Sequence, residues 1–94
     1  MNQYELIKNL IPFLPEKDIS LGYKFLESRN LESLINLVDS ALIKISNKKQ
    51  LGEDVSNIDI DKLETLKATL DCYAINYYEE NRYYDMDANI NDVL

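Results

Sequence analysis

Histidine and tryptophan are absent from this chain, cysteine occurs once, and glycine and proline occur twice each. Each scarcity excludes something. Without histidine, the commonest general base and metal-ligating side chain is missing. A single thiol, Cys72, cannot cross-link the chain to itself, which suits a reducing compartment. A reactive thiolate needs a neighbouring cation or a helix N-terminus, and Asp71 and Tyr73 supply neither, so Cys72 is expected to be a small half-buried packing residue. No phosphate-binding glycine loop, dinucleotide-binding glycine pattern, zinc-type Cys/His spacing or nucleophile elbow occurs. No apolar run approaches the ~20 residues that span a bilayer. The opening MNQYELIKNLIPFL lacks a basic start and carries Glu5 inside its apolar stretch, so synthesis in the cytoplasm without a signal peptide is the expectation.

What is present is apolar residues in ordinary proportion, 46%, and an excess of acid that gives a net charge of −7. Ninety-four residues fit one domain, and a chain this short hides only about 60–65% of its unfolded surface, so burial by a partner would add usefully to its stability. The charge is unevenly spread. Residues 1–78 hold twelve acids and nine bases, whereas residues 79–94 hold five acids (Glu79, Glu80, Asp85, Asp87, Asp92) and one base, Arg82. Such a surface repels phosphate backbones and anionic lipids, so neither direct nucleic-acid binding nor membrane binding is expected. Asn, Ile, Lys and Tyr, whose codons are AT-rich, are abundant, and this composition suits an AT-rich bacterial, phage or mobile-element genome.

The apolar spacing is helical throughout. A first helix is predicted from Asn2 to Ile11, with Asn2 and Glu5 in a capping-box arrangement and a stripe of Tyr4, Ile7, Leu10 and Ile11. Pro12 and Pro15 interrupt it, so PFLP should form an extended corner with Phe13 and Leu14 in the core. Pro15 is placed to open a second helix bearing Ile19, Gly22, Phe25 and Leu26. A tight turn at Ser28-Arg29-Asn30 follows, with Asn30 the residue suited to a left-handed conformation. The third helix, about Leu31 to Lys49, presents Leu31, Leu34, Ile35, Val38, Leu42 and Ile45, widened by Leu37, Ala41 and Ile43. After a polar linker at residues 50–57, the last helix starts near Asp59. Ile58 and Leu63 stand at hydrophobic-staple positions, while Asp61 and Glu64 offer a second capping box. Ile60, Leu63, Leu66, Leu70, Tyr73 and Tyr77 make its stripe. The expected fold is all-α: a four-helix domain over residues 1–84, two short N-terminal helices followed by a longer antiparallel helical hairpin, with an acidic tail at 85–94.

Chemistry-bearing patterns are weak. Ser40 with Lys44 and Ser46 with Lys49 are pairs that surface helices carry routinely. Asp85-Met86-Asp87-Ala88-Asn89 begins like a calcium loop, but Ile90 stands where the sharp turn needs glycine and no position-12 glutamate follows. No catalytic, cofactor-binding or metal-ligating residue is therefore expected. The remaining signal is tyrosine: five of seven lie between Tyr73 and Tyr84. Tyr73 and Tyr77 continue the core stripe. Tyr78, Tyr83 and Tyr84, with Asp85 and Asp87, are the candidate partner-binding residues, because tyrosine buries large area with few rotamers and the acids offer a rim to a basic partner.

These features lead to an expectation of a non-enzymatic structural or interaction protein, an accessory component of a phage or other assembly, with a protein partner or a second copy of itself. An acidic inhibitor seated in a basic, nucleic-acid-binding groove is the alternative. A helix-turn-helix regulator is disfavoured, since its recognition helix would carry Glu32 and Asp39 with no cation before Lys44.

Overall fold

The computed structural model describes the backbone of residues 2–93 and the side chains of residues 2–79. Four helices follow one another: α1 (Gln3–Leu10), α2 (Glu16–Glu27), α3 (Leu31–Gln50) and α4 (Ile60–Val93), with a 3₁₀ turn at Ile11–Phe13 between the first two. Among the described residues there is no strand. The all-α, four-helix architecture with a C-terminal hairpin is thus the observed one. The bounds of α4 include the stretch from residue 85 set apart above as an acidic tail; its side chains lie outside the described residues.

Local chemistry sets each boundary. Asn2 caps α1, its Oδ1 accepting the Glu5 N–H at 2.8 Å, which satisfies one donor that the first helical turn leaves without a partner. Ahead of Pro12 the chain tightens, and the Leu14 N–H donates to the Ile11 carbonyl at 2.9 Å. The corner is therefore a 3₁₀ turn rather than extended chain. Only one of its two apolar residues enters the core: Leu14 is buried, whereas Phe13 is 39% exposed. Pro15 stands one position earlier than expected, as the N-cap of α2 rather than its first residue. Its carbonyl accepts the Asp18 N–H at 2.7 Å.

Gly22 sits where α2 crosses this corner. A Cβ there would lie 3.1 Å from Leu14 Cδ1 and 3.2 Å from Ile11 Cγ2, so the missing side chain lets α2 rest directly on the 3₁₀ turn.

The α2–α3 corner is a Schellman motif: the Asn30 N–H donates to the Phe25 carbonyl at 2.9 Å and the Arg29 N–H to the Leu26 carbonyl at 3.1 Å. That bonding places the left-handed residue at Arg29, φ 59°, not at Asn30. Asn30 is left to cap α3, accepting the Ser33 N–H at 3.4 Å. A non-glycine residue in this conformation costs about 1–2 kcal/mol. The Arg29 side chain offsets that cost: Nη1 donates to the Leu26 carbonyl at 3.0 Å, and the guanidinium carbon stands 4.3 Å from the Tyr4 ring centroid. The α3 C-terminus repeats the motif with glycine: Gly52 at φ 77°, Glu53 N–H to Lys48 carbonyl at 2.9 Å.

Asp59, rather than Asp61, caps α4, accepting the Lys62 N–H at 3.1 Å. Ile58 packs against the core to which fully buried Leu63 belongs, and the two stand at the staple positions that flank an Asp59 cap. The core itself is apolar without exception among the described residues. Leu63, Leu66, Leu70 and Ala74 line one face of α4; Leu31, Leu34, Val38, Ala41 and Ile45 meet them from α3, and Ile7, Leu10 and Ile11 from α1 and its corner. Ile43, assigned above to the α3 face, is 61% exposed. It lies one residue past Leu42 and so falls about 100° outside the buried stripe.

Two stability measurements probe these corners. By urea unfolding, Arg29→Ala should be less stable than Arg29→Gly by about 1 kcal/mol, since both lose the guanidinium contacts but only alanine retains the left-handed cost. Gly22→Val should lose about 1–3 kcal/mol through overpacking against Leu14 and Ile11; a variant as stable as the parent would show that the corner yields freely.

Candidate interaction surface

Helix α1 lies along the α4 segment that carries the tyrosines. Asn76 Nδ2 donates to Gln3 Oε1 at 3.3 Å across the two helices. The aromatic rings form a continuous ladder. Tyr4 meets Tyr73 edge-on, centroids 6.3 Å apart; Tyr73 and Tyr77 lie 6.4 Å apart; Tyr77 meets Tyr78 edge-on at 5.6 Å. Such pairs add about 0.5–1.5 kcal/mol each beyond area burial. Arg29 closes the inner end of the ladder over Tyr4. Tyr73 and Tyr77 are half-buried and packed against the core, as the stripe implied.

The outer end is different. Tyr78 is 44% exposed and Ile75 57% exposed, which leaves an aromatic and an aliphatic side chain in water three positions apart on one helix, where they are neighbours. Cys72 is exposed rather than half-buried. The buried residue of that turn is Ala74, which continues the spacing from Leu70 and whose small side chain gave no apolar signal in the sequence. Of the five candidate contact residues, Tyr78 alone is among the described side chains; Tyr83, Tyr84, Asp85 and Asp87 lie outside them.

Charges on α4 also tie it to α3. Lys67 Nζ stands 2.6 Å from Asp71 Oδ2 and 3.6 Å from Asp39 Oδ1 of α3. The hydrogen bond to Asp71 holds the Lys67 ammonium above its ordinary pKa; partial burial works against that, and Asp39 adds to it. In the linker, Ser56 donates to Asp54 and holds that exposed carboxyl below its usual range.

A second surface was not visible in the sequence. Phe13, Leu14, Ile45 and Ile58 line a groove of about 760 Å³ between the 3₁₀ turn, the C-terminal half of α3 and the start of α4. Lys17, Lys44 and Lys48 also line it, and Lys62 lies 5.9 Å from the Phe13 ring centroid. Its residues come from the 3₁₀ turn, the start of α2, the C-terminal half of α3 and the residues just ahead of α4, so no local spacing announces it.

Among the described residues no three acids or thiols group so as to hold a metal ion, no polar side chain is buried, and Ser40, Lys44, Ser46 and Lys49 all lie exposed on α3. No described helix is long and apolar enough to cross a membrane. No protein-family model, curated protein or solved structure matches the chain.

The raised Lys67 pKa carries a signed pH dependence. A group whose pKa is higher when folded stabilises the fold fully below its unfolded value, near 10.5, and ceases to do so as pH rises through the folded value. The stability difference between the parent and Lys67→Met, up to about 1 kcal/mol for so accessible a pair, should be constant across neutral pH and shrink above about 10.5. A difference that changed at neutral pH would contradict the assignment.

Proposed function

We propose that this is a non-enzymatic structural or interaction protein, an accessory component of a macromolecular assembly such as a phage particle, that contacts its partner through the tyrosine-rich acidic segment of α4. The observation that carries the reading is the exposed pair Tyr78 and Ile75 at the outer end of a ladder whose inner rings are packed. Tyr78 rests edge-on against Tyr77. A ring already held in place loses little rotamer freedom when a partner covers it, and such preorganised aromatics are the usual anchors of interfaces. Tyr83 and Tyr84 follow at the next turn in sequence. Asp85 and Asp87 beyond them would face basic groups on the partner.

The charge distribution favours a second reading. Five acids against one base in residues 79–94 suit an acidic inhibitor that occupies a basic groove. Salt separates the two. An inhibitor held by charge loses its target steeply as salt rises, while a contact anchored by tyrosine keeps most of its affinity.

The decisive variant replaces Tyr78, Tyr83 and Tyr84 by alanine in the full chain. Partner capture, followed by affinity measurement on the captured protein, should weaken by about thirtyfold or more, the ~2 kcal/mol of a hot spot. On this reading thermal stability should change little: Tyr78 is exposed, and substitutions at contact positions outside the core usually lie within about 0.5 kcal/mol of the parent. Unchanged affinity would end the proposal, and outright unfolding would assign the rings to the core instead.

A further inference from the structure

The lysine-lined groove and the acidic end of the chain are complementary, and they lie at opposite ends of α4. We propose that the groove receives residues 85–94 of a second copy of this chain. The inference rests on the reading of that segment as a contact surface, and it names the surface that the segment contacts.

Charge carries the first part. Lys17, Lys44 and Lys48 line the groove, and Lys62 adds a fourth cation beside Phe13. The acids lining it are Glu16 and Asp59, and Asp59 is engaged as the cap of α4. In a chain of net charge −7, this is a place where cations outnumber acids. The segment is its counterpart: Asp85, Asp87 and Asp92 with no base.

Apolar content carries the second. Leu14, Ile45 and Ile58 lie along the groove, with Phe13 partly exposed at its side. In the segment, Met86, Ile90 and Val93 recur at spacings of four and three, the pattern of an amphipathic helix that lays one face in a groove. A volume of about 760 Å³ accommodates two or three such side chains rather than a whole helix.

Geometry requires a second copy. Asp59 forms part of the groove wall, and α4 departs from that wall, carrying residue 85 away by roughly 39 Å at 1.5 Å per residue. The segment cannot return to its own groove without breaking the helix. Because groove and segment are different surfaces, the contact is heterologous, and successive copies add head to tail into a ring or a filament.

The test uses full-length protein and sedimentation velocity over a concentration series. The parent should associate beyond its 11.0 kDa monomer at low salt and return to monomer at ~1 M salt, where the screening length is about 3 Å. Lys44→Glu with Lys48→Glu, and separately Asp85→Lys with Asp87→Lys, should each weaken association about tenfold or more. Mixing these two variants pairs the parental groove with the parental segment and the reversed groove with the reversed segment, so the mixture should associate again, with the two variants alternating. A chain carrying all four substitutions should associate again. Circular dichroism at parental helicity establishes that the variants are folded.

A parent that stays monomeric, variants that associate as the parent does, or a mixture that fails to pair would each overturn the inference. A monomeric parent whose tyrosine variant still loses an unrelated partner would sink this inference alone and leave the proposed function standing.

Discussion

One stripe on α4 organises the protein. Leu63, Leu66, Leu70 and Ala74 are all buried, and both α3 and α1 pack against that helix. A chain of this size cannot build two cores, so every other helix must pack on that seam or on an element that does. α3 does so as the antiparallel arm of a hairpin. α1 arrives from the other end of the sequence, while α2 is held at one remove through the 3₁₀ turn and α3. The core is purely apolar among the described residues, so burial supplies the cohesion but little directional information. Leucine against leucine packs tolerably in several registers. The features that choose one register lie at the margins: the glycine niche where α2 meets Leu14, the Schellman corner at Arg29, and the Gln3–Asn76 hydrogen bond between α1 and α4.

Those marginal features are also where sequence and structure part company. The long elements were legible because their spacing is regular over many turns, and the caps at Asn2 and Asp59 were legible because capping is local chemistry. Arg29 was not. Asn30 has the more usual side chain for a left-handed turn, but the six-to-one hydrogen bond ending α2 determines which residue turns, and Arg29 is tolerated there through contacts with Tyr4, distant in sequence. Phe13 and Ile43 look like core residues by composition and are exposed by phase. Ala74 looks unremarkable by composition and is buried by phase. In each case a one-residue rotation about the helix, not hydrophobicity, decided the outcome.

The candidate contact surface was partly legible for the same reasons. Repetition of tyrosine drew attention to α4, and the stripe separated Tyr73 and Tyr77, which pack on the core, from Tyr78, which is exposed. What the sequence could not express was the partner of Tyr73, since Tyr4 lies on another helix. Nor could it express the groove, which draws its walls from the 3₁₀ turn, α2, α3 and the residues ahead of α4 and becomes a surface only when they are assembled.

An interior with no titrating group also determines how acid reaches this fold. No buried carboxylate or amine among the described residues waits to change its charge state, so protons act from outside; linker Asp54, held ionised by Ser56, is one exposed point where they meet some resistance. As pH falls toward the isoelectric value of about 4.4, carboxylates lose their charge and mutual repulsion declines before any cationic excess accumulates. The colloidal balance is disturbed sooner than the packed one. For this chain, mild acidity is a question of precipitation first and of unfolding second.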